Sequence, residues 1–234
     1  MNKYTRIISR MKSSGYGEER IDYVIRLLER MVNMDIERTD RLEKALYNAI
    51  PNNKGFLNHV AEGEIALKLA LNGFHIVYEP FGNKGPDLSA SCSDCNIYIE
   101  VSRFEEDYET SKKLNSASGG ERKVLVKYGR GGKDSDAFYD KIVNEAQQLR
   151  KEQTGLIYLR SDNDRMEDIE FQEAIACLNL LISEQNLLPQ LSGVLFDSGW
   201  INLHTHKRFY LWRNKKAANR LNDFIANKLN NLKY

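Results

Sequence analysis

The stretch IYIEVSRF, Ile97–Phe104, sets the strictest condition on this chain. Glu100 stands in the middle of an apolar β run, with Ile97, Tyr98 and Ile99 before it and Val101 after it. A carboxylate in that place is costly to bury without a partner. The run is the second arm of a hairpin, because Asp87–Ala90 and Ile97–Phe104 read as strands joined by the polar tip SCSDCN. A hairpin lays the start of one strand beside the later part of the other, so Asp87, directly after Gly85-Pro86, can converge with Glu100. A salt bridge, or an edge strand that exposes Glu100 to water, would satisfy the same carboxylate. So would a hard divalent cation, which takes a few carboxylates plus waters and a substrate phosphate.

The segments around the hairpin alternate between helix and strand. Residues 57–72 carry a helix, with Val60, Ile65, Ala66 and Leu69 apolar and Gly73 as its C-cap. Strands follow at 75–79 and, past the hairpin, at 123–128. Then come a helix at 136–152, a strand at 155–160, a helix at 166–186, strands at 193–196 and 209–212, and a closing helix at 215–232. Before all of these, Ile21, Val24, Ile25, Leu28 and Val32 form one helical stripe, and Leu42, Ala45, Leu46, Ala49 and Ile50 form a second that Pro51 stops. The expected architecture is α/β, a mixed central sheet flanked by helices. Residues 1–53 form a helical N-terminal extension on a body of residues 54–234.

Charge is uneven along the chain, although it sums to only +1. Residues 61–110 hold three Lys/Arg against ten Asp/Glu, and residues 111–133 hold seven against one. Residues 160–198 hold two against eight, and residues 199–234 hold eight against one. Blocks of this size suit an acidic pocket flanked by basic walls, and equally suit solvated faces. No apolar run is long enough to span a bilayer, and the N-terminus lacks the apolar region of a secretory signal. With three cysteines the expectation is a reducing cytoplasm. Cys92 and Cys95 form a zinc half-site only, which Cys177 or the His204/His206 pair would have to complete; a hairpin-tip coincidence accounts for them more simply.

The ordered set of Glu62 on a helix, Gly73-Phe74, Pro86-Asp87 and Glu100 resembles the PD-(D/E)XK nuclease superfamily, which includes type II restriction enzymes and archaeal Holliday junction resolvases. Glu62 precedes Gly73 by eleven residues and Glu100 follows Asp87 by thirteen, spacings similar to that family's. The resemblance covers about residues 58–104, and the following strand–helix–strand more loosely. It implies a restriction-endonuclease-like sheet in which Asp87 and Glu100 hold Mg²⁺ or Mn²⁺, with Glu62 as an outer-sphere or second-metal ligand. The implied activity is hydrolysis of phosphodiester bonds in DNA, with RNA as a second candidate substrate.

The chain departs from the motif at Ser102, where the family has a lysine. Strand periodicity puts Ser102 on the face of Glu100, with Arg103 on the other face. A serine hydroxyl can orient water but carries no charge. Either a cation has moved in from a neighbouring element, with Lys123, Lys127 and Lys141 as candidates and Gln147 or Gln148 beside them, or the fold persists without cleavage as a nucleic-acid-binding or protein-interaction module. Backbone phosphates would meet the basic blocks, at Lys112, Lys113, Arg130 and Lys133, and at Lys215, Lys216 and Arg220 on the closing helix. A symmetric homodimer would suit a double-strand cutter.

Overall fold

Apolar side chains fall on both faces of six strands, so the sheet must be covered twice, and it is. The computed structural model describes residues 3–82, 85–104, 133–161, 168–185, 187–199 and 208–232. Within them lie helices α1 (Thr5–Ser13), α2 (Glu18–Asn33), α3 (Thr39–Ala49) and α4 (Asn53–Leu71), then strands β1 (His75–Tyr78), β2 (Leu88–Cys92) and β3 (Cys95–Phe104). Helix α5 (Lys133–Ala146), β4 (Gly155–Ser161), α6 (Asp168–Gln185), β5 (Leu191–Asp197), β6 (Phe209–Arg213) and α7 (Asp223–Asn230) follow. The strands stand in the order β1-β2-β3-β4-β5-β6. Only the β3–β4 and β4–β5 pairs are parallel, so the sheet is mixed and the fold is α/β.

Strand alternation divides the interior. Ile97, Ile99 and Val101 of β3 join a core with α1–α4 and α7, whereas Phe104 joins a core with α5 and α6. In the second core Phe138 meets Phe104 and Phe196 at ring distances of 4.4 and 5.1 Å. In the first, α2 and α3 press closely on α4 at Gly63. A Cβ there would come within 2.9 Å of Leu42 Cδ2 and 3.1 Å of Leu27 Cδ2. The helices of residues 1–53 thus share one core with α4 and the hairpin. The backbone of Glu37 also pairs beside β1, its N–H donating to the Ile76 carbonyl at 3.0 Å.

Several expectations change in detail. The closing helix starts at Asp223 rather than 215. Residues 214–222 are held out of helix by long-range bonds: the Ala218 N–H donates to the Pro189 carbonyl, and the Ser192 hydroxyl to the Asn219 carbonyl. Asn222 then caps α7 by accepting from Ile225 N at 2.8 Å. Helix α5 ends at Ala146, which leaves Gln147 and Gln148 in the turn after it. The expected strand at 123–128 lies outside the described residues. Among the described residues no helix is long and apolar enough to cross a membrane.

Candidate active site

Where β2 begins, it is already parting from β3. Their last paired residues are Leu88 and Ile99. Just before them Pro86 has no N–H to offer, and the carbonyl of Asp87 turns to β1, accepting from Glu79 N. The ladder is continued by a side chain instead: Asp87 Oδ2 accepts from the Val101 amide at 2.8 Å. This fixes the Asp87 carboxyl against the middle of β3, beside Glu100, which is 5% exposed.

Both carboxyls are pushed toward the protonated form. Burial, then the charges of Glu62 and Glu100, push Asp87 well above the usual carboxylate range, against the opposing Val101 hydrogen bond. Burial, then Glu145 and Glu62, push Glu100 up to about 8, although its hydrogen bond with Asp87 works the other way. Carboxyls this close retain a proton between them. Glu100 Oε2 is buried with no hydrogen-bond partner.

Glu62 comes from α4, on the side of the first core, and is also buried. The Tyr78 hydroxyl donates to its Oε2 at 2.6 Å, and His59 Nδ1 lies 2.9 Å from the same oxygen and 3.1 Å from Oε1. Burial pulls the His59 imidazole down, yet its bond to Glu62 and that carboxylate's charge outweigh it, and the ring is shifted up. Burial and Glu62 together push the Tyr78 phenol upward, so it stays a donor.

Ser102 shares the Glu100 face of β3 and is buried. Its hydroxyl donates to Glu145 Oε1 at 2.7 Å, and Gln148 donates to Glu145 Oε2 at 2.9 Å. Lys141, one helical turn before Glu145, stands 4.0 Å from its Oε1 and 5.5 Å over the Phe104 ring. Sequence reasoning misses Glu145 because a glutamate on an amphipathic helix is ordinary; its spacing from Lys141 (i,i+4) is the available signal.

The structure thus gathers Glu62, Asp87, Glu100, Ser102 and Lys141 in one neighbourhood and adds Glu145, Tyr78 and His59. Lys112, Lys113, Lys123, Lys127 and Arg130 lie outside the described residues, as do His204 and His206; Lys133 opens α5. Lys215, Lys216 and Arg220 sit in the segment before α7, not on a helix. There the Lys216 amine donates to the Ser183 carbonyl at the far end of α6. Cys92 and Cys95 face each other across the hairpin, and the Asn222 amide contacts Cys95 Sγ. Cys177 is exposed on α6.

The donor set fits a divalent ion only in an open arrangement. Among the described residues no three His, Cys, Asp or Glu side chains close into a ready-made metal cage. Two carboxylates with one unpartnered buried oxygen nevertheless fit an ion that takes one or two carboxylates and completes its shell with water and phosphate. Both oxygens of Glu62 are engaged by His59 and Tyr78, which suits the outer-sphere place better than direct ligation.

No family model matches the chain, and no curated protein matches it. Among solved structures it is similar to the CdiA-CT/CdiI toxin and immunity complex from Burkholderia pseudomallei. That match has 13% identity and a TM-score of 0.31, covering 68% of this chain and 86% of that one. A likeness this shallow carries no argument about function.

Proposed function

We propose that the chain is a Mg²⁺- or Mn²⁺-dependent endonuclease-like phosphodiesterase acting on DNA. What carries this reading is the Asp87–Glu100 pair: a buried glutamate beside a half-buried aspartate tied to the Val101 amide, with one Glu100 oxygen lacking a hydrogen-bond partner. Nothing in a purely structural role requires this charge to converge. A divalent ion bound there would lower the pKa of a bound water and polarise the scissile phosphate. Asp87 and Glu100 would release their retained proton to hold it. Glu62, kept in place by Tyr78 and His59, would add negative charge from behind. Ser102 and Lys141, which meet through Glu145, would orient the attacking water and offset phosphate charge, with Lys141 taking the part of the motif lysine.

Plasmid nicking tests the reading. Wild type should nick with Mn²⁺ and not with EDTA, Glu100→Gln should lose the activity, and Lys141→Ala should slow it by roughly 10²–10³. No cleavage by wild type with any divalent metal, and none gained by Ser102→Lys, would refute it. That outcome would favour the second reading, a catalytically degenerate nuclease-like fold that binds nucleic acid or protein. Its supporting observation is that the Ser102 hydroxyl is buried and already given to Glu145.

A further inference from the structure

Along one face of β3, Tyr98 stands two residues before Glu100, and Ser102 two residues after it. The Phe81 ring lies on the ring of Tyr98, with centroids 5.4 Å apart and planes 26° from parallel. The Arg150 guanidinium, from the connection between α5 and β4, lies 4.7 Å from the Phe81 centroid. Residues from β3, from the β1–β2 connection and from the α5–β4 connection thus build one stack. Two residues along a strand rise by about 7 Å, so the stack begins about that far from Glu100.

The backbone around the stack is fixed. The Tyr98 N–H donates to the Thr154 carbonyl at 2.9 Å, and the Tyr98 phenol oxygen accepts from the Asn96 amide at 3.0 Å. Glu79 takes a left-handed φ of 43°, and Arg38 donates to the Glu79 and Pro80 carbonyls at 2.7 and 3.0 Å, directly before Phe81. Gly85 closes on the same ring, since a Cβ there would lie 3.2 Å from Phe81 Cδ2. Yet Phe81 is 40% exposed, and Arg150 is exposed as well. Arg150 forms no ion pair among the described residues, and its contact is the Phe81 ring. Core packing would cover the ring, and a surface ion pair would occupy the cation; neither happens. An exposed aromatic beside a planar cation matches an unpaired nucleotide, whose base stacks on rings and guanidinium planes and whose phosphate takes the charge.

We infer that the stack of Tyr98, Phe81 and Arg150 receives an unpaired base next to the scissile phosphate, so that the substrate class is single-stranded DNA or a duplex opened at that step. In a closed duplex the bases are paired and stacked inside, and a base reaches such a platform only by leaving the stack. Negative supercoiling eases strand opening, so a supercoiled plasmid supplies such bases too. The inference rests on the phosphodiesterase reading of the acid pair, but its binding test needs no turnover.

The test is fluorescence titration of short oligodeoxynucleotides carrying one 2-aminopurine, whose emission falls when it stacks on a ring, in EDTA and again with Ca²⁺. A single strand, the closed duplex and a duplex with a central unpaired bubble are compared. Wild type should quench the probe and bind the single strand at least about tenfold more tightly than the closed duplex. Bubble binding as tight as that of the strand would support an opened duplex as substrate, and binding of the strand alone would support free strands. Phe81→Leu keeps the apolar bulk and should lose the quenching and about tenfold in affinity, and Phe81→Trp should restore both. Arg150→Gln should weaken binding and flatten its dependence on salt. Because Arg150 is exposed, its variant reports on the stack even where Phe81→Leu melts early. No binding of single-stranded DNA in either condition, equal affinity for strand and closed duplex, or unchanged affinity and quenching in both Phe81→Leu and Arg150→Gln would overturn the inference. Cleavage of the closed duplex with Mn²⁺ beside such a result would leave the phosphodiesterase reading standing. Phe81-dependent binding of the strand with no cleavage of any DNA would sink the catalytic reading and support the platform.

Discussion

Replacing Glu100 by glutamine should stabilise the metal-free protein, which an ordinary buried side chain would not do. The Glu100 carboxyl has an ordinary value of 4.5 and is raised to about 8 in the fold. Between those values the folded chain keeps a proton that the unfolded chain has released. Folding stability therefore falls as pH rises through this window and levels off above about 8. At neutral pH the linkage relation puts the cost at about 2–4 kcal/mol. The glutamine side chain keeps the shape and carries no such cost. Thermal unfolding in EDTA should show the variant roughly 5–10 °C more stable near pH 7, with the two curves converging at about pH 5. His59, also shifted up, loses its contribution in the same direction as pH rises, but it is present in both proteins and drops out of the difference. Adding Mn²⁺ should raise the wild-type midpoint and leave that of Glu100→Gln nearly unchanged. Parallel pH curves for the two proteins would refute the argument that burial and the charges of Glu145 and Glu62 hold a proton on Glu100 in the fold.

Other outcomes follow from the same geometry. Tyr78→Phe removes the donor to buried Glu62 and should cost about 1–3 kcal/mol, measured by urea unfolding. Arg208→Gln leaves Asp197 buried without its cation, with an expected loss of about 3–5 kcal/mol in the same assay. Although burial alone would raise it, Asp197 is held below its ordinary value by Arg208, Tyr158 and Gly199. Its contribution is present above that ordinary value and is lost as pH falls through the folded one, so acid unfolding of Arg208→Gln should begin nearer neutral pH. Gly63→Ala should overpack the contact of α4 with Leu42 and Leu27 and lower stability by about 1–3 kcal/mol, again read from urea unfolding.

The acidic pair can be read from the sequence because its two anchors are local: a hairpin with a short tip, and a carboxylate whose neighbours are all apolar. Glu62 follows from the family resemblance, but its partners do not. Tyr78 looks like any strand tyrosine until β1 is laid against α4, and His59 is three residues from Glu62 on a helix with other polar positions. Glu145 is hidden for the same reason, since only the packing of α5 on β3 sets it against Ser102. The apolar stripe overextends the closing helix because Ala217 and Leu221 fit it. In the fold they are buried from an irregular segment that Pro189 and Ser192 hold by hydrogen bonds from far along the chain, with Asn214 tied back to the Leu191 carbonyl.

The parting of β2 from β3 at Asp87 has a spectroscopic consequence. The Val101 amide is tied to a titrating side chain instead of a carbonyl, so its proton exchange and its nitrogen chemical shift should follow the state of the Asp87 carboxyl. The neighbouring amide of Ile99, inside the regular ladder, should stay silent. One backbone resonance in the middle of β3 therefore reports on an acid a strand away, and a carboxylate turning toward an added cation would register there even without turnover.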